Sequence, residues 1–163
     1  MMKNRYLDDI GIKTKKKHVI GGGTAKDSKR FKKQRKKYGF DGRECYALNF
    51  AAAAWLYSHL KRYKKDASKI VNLDYYSFDI PVLYRTDKTS YKETEKTWYE
   101  AKTESHTQIE CINLCISYLK DYLLCEKDLT GILEEDGNKE QKGQEKGKCA
   151  FQIFAEIFPM MWW

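Results

Sequence analysis

FDGRECYALNFAAAAWLYSHLKRYKK (40–65) decides the fold class. Phe40-Asp41-Gly42-Arg43-Glu44 reads as a capping box. Asp41 is placed to accept from first-turn amides and Glu44 to reach back to the Asp41 N–H, with Phe40 and Cys45 at the staple positions. The residues that follow carry two stripes at helical spacing. One is Leu48, Ala51/Ala52, Trp55, Leu56, His59 and Tyr63; the other is Tyr46, Phe50, Ala53/Ala54, Tyr57 and Leu60. Apolar groups on two faces predict a central, largely buried helix over 42–65, roughly 35 Å long. Its last residues, LKRYKK (60–65), put cations where the helix dipole favours them.

Working outward, Tyr76, Phe78, Ile80, Val82 and Tyr84 alternate with Ser77, Asp79, Pro81 and Leu83. That period of two predicts one strand or a small hairpin, with Pro81 at an edge or turn. Ser90-Tyr91-Lys92-Glu93 is a second capping box, and it opens a helix running to about Cys125, with a restart at Ser105 left open. Within it Ile109, Ile112, Ile116, Leu119 and Leu123 step as a heptad seam. Two heptads are short for a free coiled coil. Packing inside a bundle is the plainer reading, and self-association as a homodimer is the sharper one. EEDGNKEQKGQEKGK (134–148) contains no apolar residue and reads as a flexible loop. The last helix, 150–158, puts Phe151, Phe154 and Phe158 on one face and stops at Pro159. Two tryptophans end the chain and are expected to dock on the body rather than face water. Trp55, Ile109, Ile112, Ile116, Leu119, Trp162 and Trp163 are therefore the core or interface candidates.

Charge divides the chain unevenly. Of a net +8, residues 1–40 hold 14 Lys and Arg against 3 Asp, and the rest hold 17 against 20 acidic residues. Between Lys13 and Lys37 only Val19, Ile20, Ala25 and Phe31 are apolar, too few to bury a face. The expected fold is mainly α: a compact helical bundle with one short strand or hairpin (about 76–84) and a disordered basic N-terminal arm. In domain terms, 1–37 is a basic flexible arm and 38–163 a single helical domain with the polar loop 134–148. The chain's 163 residues and 42% hydrophobic content are enough for one such core.

The arm carries the strongest functional signal. Lys15, Lys16, Lys17, Lys29, Arg30, Lys32, Lys33, Arg35, Lys36 and Lys37 form an electrostatic footprint for a polyanion, with Tyr6, Phe31 and Tyr38 available for stacking. The plainer reading of the same run is a solubilising tail. HVIGGGTAK (18–26) has three glycines, but a lysine run precedes it and Lys26 stands where a dinucleotide turn needs its third Gly or Ala, so a hinge is expected there. Cys111 and Cys115 lie one helical turn apart near His106 and Glu110, yet zinc needs four convergent ligands, and buried thiols account for the pair. His18, His59 and His106 form no catalytic arrangement with a nucleophile. The expectation is a binder rather than an enzyme, with no metal and no cofactor. Five cysteines without framework spacing fit reduced thiols, and no run is long and apolar enough for a membrane span or a secretory signal.

YGFDGRE (38–44), Leu48, WLYSHLKRYKKDASKI (55–70) and EIFPMMWW (156–163) together resemble a group of small phage- and prophage-encoded proteins. The chain departs from that pattern at Cys45-Tyr46, Asn49 and Ser58, and 71–148 has no counterpart in it. The resemblance implies a cytoplasmic accessory protein of a bacterial host that acts by binding. The first expectation it implies is an antagonist of host defence that blocks a host protein or nucleoprotein or sequesters an anionic nucleotide. The alternatives are a nucleic-acid-binding accessory protein using the basic arm and, with no motif behind it, a nucleotide-processing enzyme.

Overall fold

The computed structural model describes residues 4–12, 25–42, 48–86, 99–129 and 137–161. In chain order these form α1 (Arg5–Asp9), α2 (Ala25–Tyr38), α3 (Leu48–Ala67), β1 (Ser77–Arg85), β2 (Tyr99–Thr107), α4 (Gln108–Leu129), α5 (Gly137–Ile157) and a 3-10 turn (Phe158–Met160). The described residues are 67% helical, with a two-stranded antiparallel sheet. Two units divide the chain, Met1–Ser58 and His59–Trp163, with the boundary inside α3. Among the described residues no helix is long and apolar enough to cross a membrane.

The first unit begins with a capped turn of helix. Asn4 caps α1 by accepting from the Leu7 N–H at 3.3 Å. Gly11, at φ 79°, ends it: the Ile12 N–H reaches the Leu7 carbonyl and the Gly11 N–H that of Asp8. This is a Schellman closure, and its hydrophobic partners Leu7 and Ile12 are both buried. The Asn4 amide also donates to Ser58 Oγ at 2.9 Å, and that hydroxyl donates to the Ala54 carbonyl. Helix α2 ends in a similar way, at Gly39 (φ 83°), whose N–H donates to the Arg35 carbonyl.

In the second unit the β1–β2 hairpin packs with α4 and α5, and α4 lies along α5. Leu83 N–H donates to Tyr118 Oη at 2.9 Å, so the odd residues of β1 turn their amides away from β2. Pro81 is one of these, and its missing N–H costs the ladder nothing. Cys149 donates to the Pro81 carbonyl on the same outer edge. Helix α4 starts at a capping box in Thr107-Gln108-Ile109-Glu110, where the Glu110 carboxylate accepts from the Thr107 N–H at 2.9 Å. The next two amides are satisfied by the carbonyls of Tyr76 and Leu73.

The expected bundle is corrected on several points. The basic arm, expected to be disordered, is ordered where it is described, over 4–12 and 25–38, and Leu7, Ile12 and Phe31 are buried; residues 1–3 and 13–24 lie outside the described residues. Three buried apolar side chains and two glycine closures anchor what the charge density concealed. The strand about 76–84 is β1, but its partner is distant in sequence. It is β2, inside the stretch expected to be helical from Ser90, because YEAKTESHT has no run of alternating large apolar residues and gains its conformation from the β1 ladder. The Ser90 capping box lies outside the described residues. The polar stretch 134–148 is not a loop from 137 onward; it supplies the first turns of α5. Helix α3 is not buried all round. Ala53, Ala54, Leu56, Tyr57 and Leu60 face the interior, whereas Leu48 and Trp55 are 65% and 58% exposed. The heptad seam is turned as well: Ile112, Leu119 and Leu123 are fully buried, Ile109 and Ile116 half-buried, and Cys111, Cys115, Tyr118 and Tyr122 share the buried face. Over 149–158 the buried residues are Cys149, Ala150, Ile153 and Ile157 rather than the phenylalanines, and Phe158 is 63% exposed. Trp162 and Trp163 lie outside the described residues.

Candidate polyanion-binding face

Over its described side chains, 29–38, helix α2 has one apolar anchor and a broad cationic face. At 100° per residue, Phe31 points opposite to Lys29 and Lys33. Phe31 is 8% exposed, and Lys29, Arg30, Lys32, Lys33, Lys36 and Lys37 all face water. Burying the single ring therefore orients six cations outward. Arg35 does something else. Its guanidinium pairs at 2.9 Å with Asp41, which is 1% exposed, and Gln34 Oε1 accepts from the Gly42 N–H at 3.0 Å. The left-handed Gly39 turns the chain back so that both contacts are made. Asp41 was expected as the cap of the following helix; here its carboxylate pairs with Arg35, and residues 43–47 lie outside the described set.

Lys29, Arg30, Lys33, Gln34, Lys37 and Tyr38 line an open groove of about 420 Å³. The Lys37 ammonium lies 4.9 Å from the Tyr38 ring centre, and the Tyr38 and Phe40 rings are 6.2 Å apart. Both rings are about half exposed, so cations and aromatic faces meet at the C-terminal end of α2. Of the stacking residues named from sequence, Tyr38 fits, Tyr6 is half-buried and Phe31 is the buried anchor. Phe40 was missed as a platform because its place before Asp41 reads as a helix staple. Lys15, Lys16 and Lys17 and the Gly21–Gly23 hinge lie outside the described residues.

The cysteines behave as core donors. Cys115 Sγ donates to the Ala150 carbonyl at 3.2 Å, Cys149 Sγ to that of Pro81 at 3.1 Å, and Cys111 Sγ to that of His106 at 3.5 Å. Burial pushes the Cys111 and Cys149 thiols up to about 11 and Cys115 to about 12. Thiols held neutral in this way are poor nucleophiles and poor metal ligands at neutral pH. Cys111 points to a main-chain oxygen and not to an imidazole. Among the described residues no three His, Cys, Asp or Glu side chains converge so as to hold a metal ion.

A second polar cluster sits on the hairpin. Tyr84 donates to Glu104, and the His106 ring lies 3.3 Å from Glu104 and 3.6 Å from Glu110. The Tyr84 contact, first, holds the Glu104 carboxyl below the usual range, and the Thr107 N–H does the same for Glu110. The cluster joins β1, β2 and the start of α4. No protein-family model, curated protein or solved structure matches the chain.

Proposed function

We propose that the protein is a nucleic-acid-binding accessory protein, a binder rather than a catalyst, that grips phosphates through the outward face of α2. One observation carries the reading: a single buried ring, Phe31, presents six exposed cations together beside the exposed rings of Tyr38 and Phe40. Cations neutralise phosphates and release counter-ions, and aromatic faces stack on unpaired bases. The same face suits the nucleic-acid part of a host nucleoprotein. The likeness of 38–44, 55–70 and 156–163 to phage-encoded proteins supports that setting.

Salt tests it. If the six cations each neutralise one phosphate on a duplex, log K falls against log salt with a slope of about −5. Changing Lys29, Arg30, Lys33 and Lys37 to Gln keeps Phe31 and the Arg35–Asp41 pair. It should flatten the slope by about 4 and weaken binding at low salt by orders of magnitude. Fluorescence anisotropy with a labelled oligonucleotide reads both. An unchanged slope in the fourfold variant would show that the phosphates lie elsewhere.

A further inference from the structure

We propose that the outer edge of β2 is a dimerisation edge, taken by β2 of a second copy in an antiparallel register centred on Thr103. Leu83 turns its amide away from β2, and the register sets Leu83 against Ala101, Pro81 against Thr103 and Asp79 against Ser105. Ala101, Thr103 and Ser105 therefore aim their N–H and C=O groups away from β1. All three are exposed, and the described sheet has only β1 beside β2. An edge of this kind is a template for another strand.

The side chains select the occupant. Glu100, Lys102, Glu104 and His106 project from one face of β2. Under a twofold axis through Thr103, Lys102 faces Glu104 of the second copy and Glu100 faces His106, and each pair occurs twice. Thr103 faces its own copy, a favourable cross-strand pair, and Ala101 faces Ser105. Three facing pairs would exchange about six main-chain hydrogen bonds, two each. Moving the axis to residue 102 sets Lys102 against Lys102 and Glu100 against Glu104. Moving it to residue 104 sets Glu104 against Glu104 and Lys102 against His106. Edge charges usually protect a strand, and a run of one sign would repel a copy in every register. Here Glu100, Lys102 and Glu104 alternate in sign, so the longest overlap has one attractive register, with Lys102 against Glu104 twice, flanked by repulsive ones.

Sedimentation equilibrium of the full chain at high micromolar concentration, without nucleic acid, should give about twice the 19.3 kDa chain mass. This readout is independent of the α2 assignment. Lys102→Glu and Glu104→Lys each place like charges opposite one another twice, and each should weaken association about tenfold or more. Combined, the two changes restore opposite pairs and should recover wild-type association. Thr103→Pro removes an amide that points outward, as Pro81 does in β1. It should abolish the dimer and leave the far-ultraviolet circular dichroism intact. A wild-type monomer overturns the proposal. So does a dimer that survives Thr103→Pro, or a double charge swap no tighter than the single changes.

Discussion

Helix α2 and the first half of α5 are both strongly polar, and they are held in opposite ways. Over Lys29–Tyr38 the helix spends one ring, Phe31, on the interior and turns six cations to water. Over 142–148, in Lys-Gly-Gln-Glu-Lys-Gly-Lys, the buried residues are the glycines Gly143 and Gly147. A Cβ on Gly143 would lie 2.6 Å from Cys125 Sγ, and one on Gly147 would lie 2.8 Å from Cδ2 of Tyr122. The absence of side chains lets α4 come against the α5 backbone, where Lys146 pairs with Asp121. Polarity thus conceals two designs. One is a surface helix pinned at a point, and the other is a packed helix whose contacts come from its partner's side chains.

The sharpest way to break the comparison is to remove the pin. Phe31→Ala should cost about 3–5 kcal/mol of local stability, and hydrogen exchange of the α2 amides should accelerate accordingly. Lys32→Ala and Lys36→Ala should stay within about 0.5 kcal/mol. Equal effects from all three would mean that α2 is not held by its ring.

The next effect has a diagnostic sign. On helix propensity alone, Gly143→Ala and Gly147→Ala should each stabilise α5 by about 1 kcal/mol. The close approach predicts the reverse, a loss of about 1–3 kcal/mol each from overpacking. Gly143 should be the less forgiving, since a Cβ there would also lie 2.7 Å from Cys125 Cβ, which is fixed to the α4 backbone and cannot rotate away. A rise in melting temperature for either variant would return this stretch to the status of an unpacked helix.

Smallest is the response to alkali, which sharpens the contrast between the units. Cys111, Cys115 and Cys149 have folded values raised from 9.0 to about 11, 12 and 11. A raised folded value means that the stability is fully present below the unfolded value. It is lost as pH rises through the folded one. Melting temperature should hold to about pH 9 and then fall toward 11–12, with the loss in the α4–α5 unit and not in α2. In neutral native buffer, Cys111, Cys115, Cys125 and Cys149, all buried, should resist a thiol reagent. Rapid modification of Cys115 would show that the helices open.

What could be read in advance tracks how the information is carried. The alternation of Tyr76–Tyr84 is local, and β1 lies there. The partner strand carries no apolar alternation, because its stability comes from the ladder to β1 and not from a buried face of its own. The α4 start is carried by Thr107-Gln108-Ile109-Glu110, close to the restart that the sequence leaves open at Ser105, while the Ser90 box reads as the opening of a longer helix. The α1 closure was visible too, as Leu7, Gly11 and Ile12 at Schellman spacing, but the surrounding charge suggested an arm. Gly143 and Gly147 could not be read from sequence alone, since a glycine at a close approach and one in a loop look the same until the neighbouring helix is known. For the candidate site, the cations were legible as a cluster. Their common direction was not, nor was the diversion of Arg35 to Asp41, because both depend on where one phenylalanine is buried.

Lys29, Lys33 and Lys37 stack one turn apart on α2, as do Lys32 and Lys36, and like charges at that spacing oppose helix formation by about 0.2–0.5 kcal/mol per pair. Any anion that settles on this face relieves the opposition, so ligand binding and folding of α2 share one free energy. Thermal shift therefore doubles as a ligand screen for this chain. Simple salts should raise the melting point slightly and in proportion to ionic strength, and a true polyvalent partner should do so at concentrations where salt has no effect.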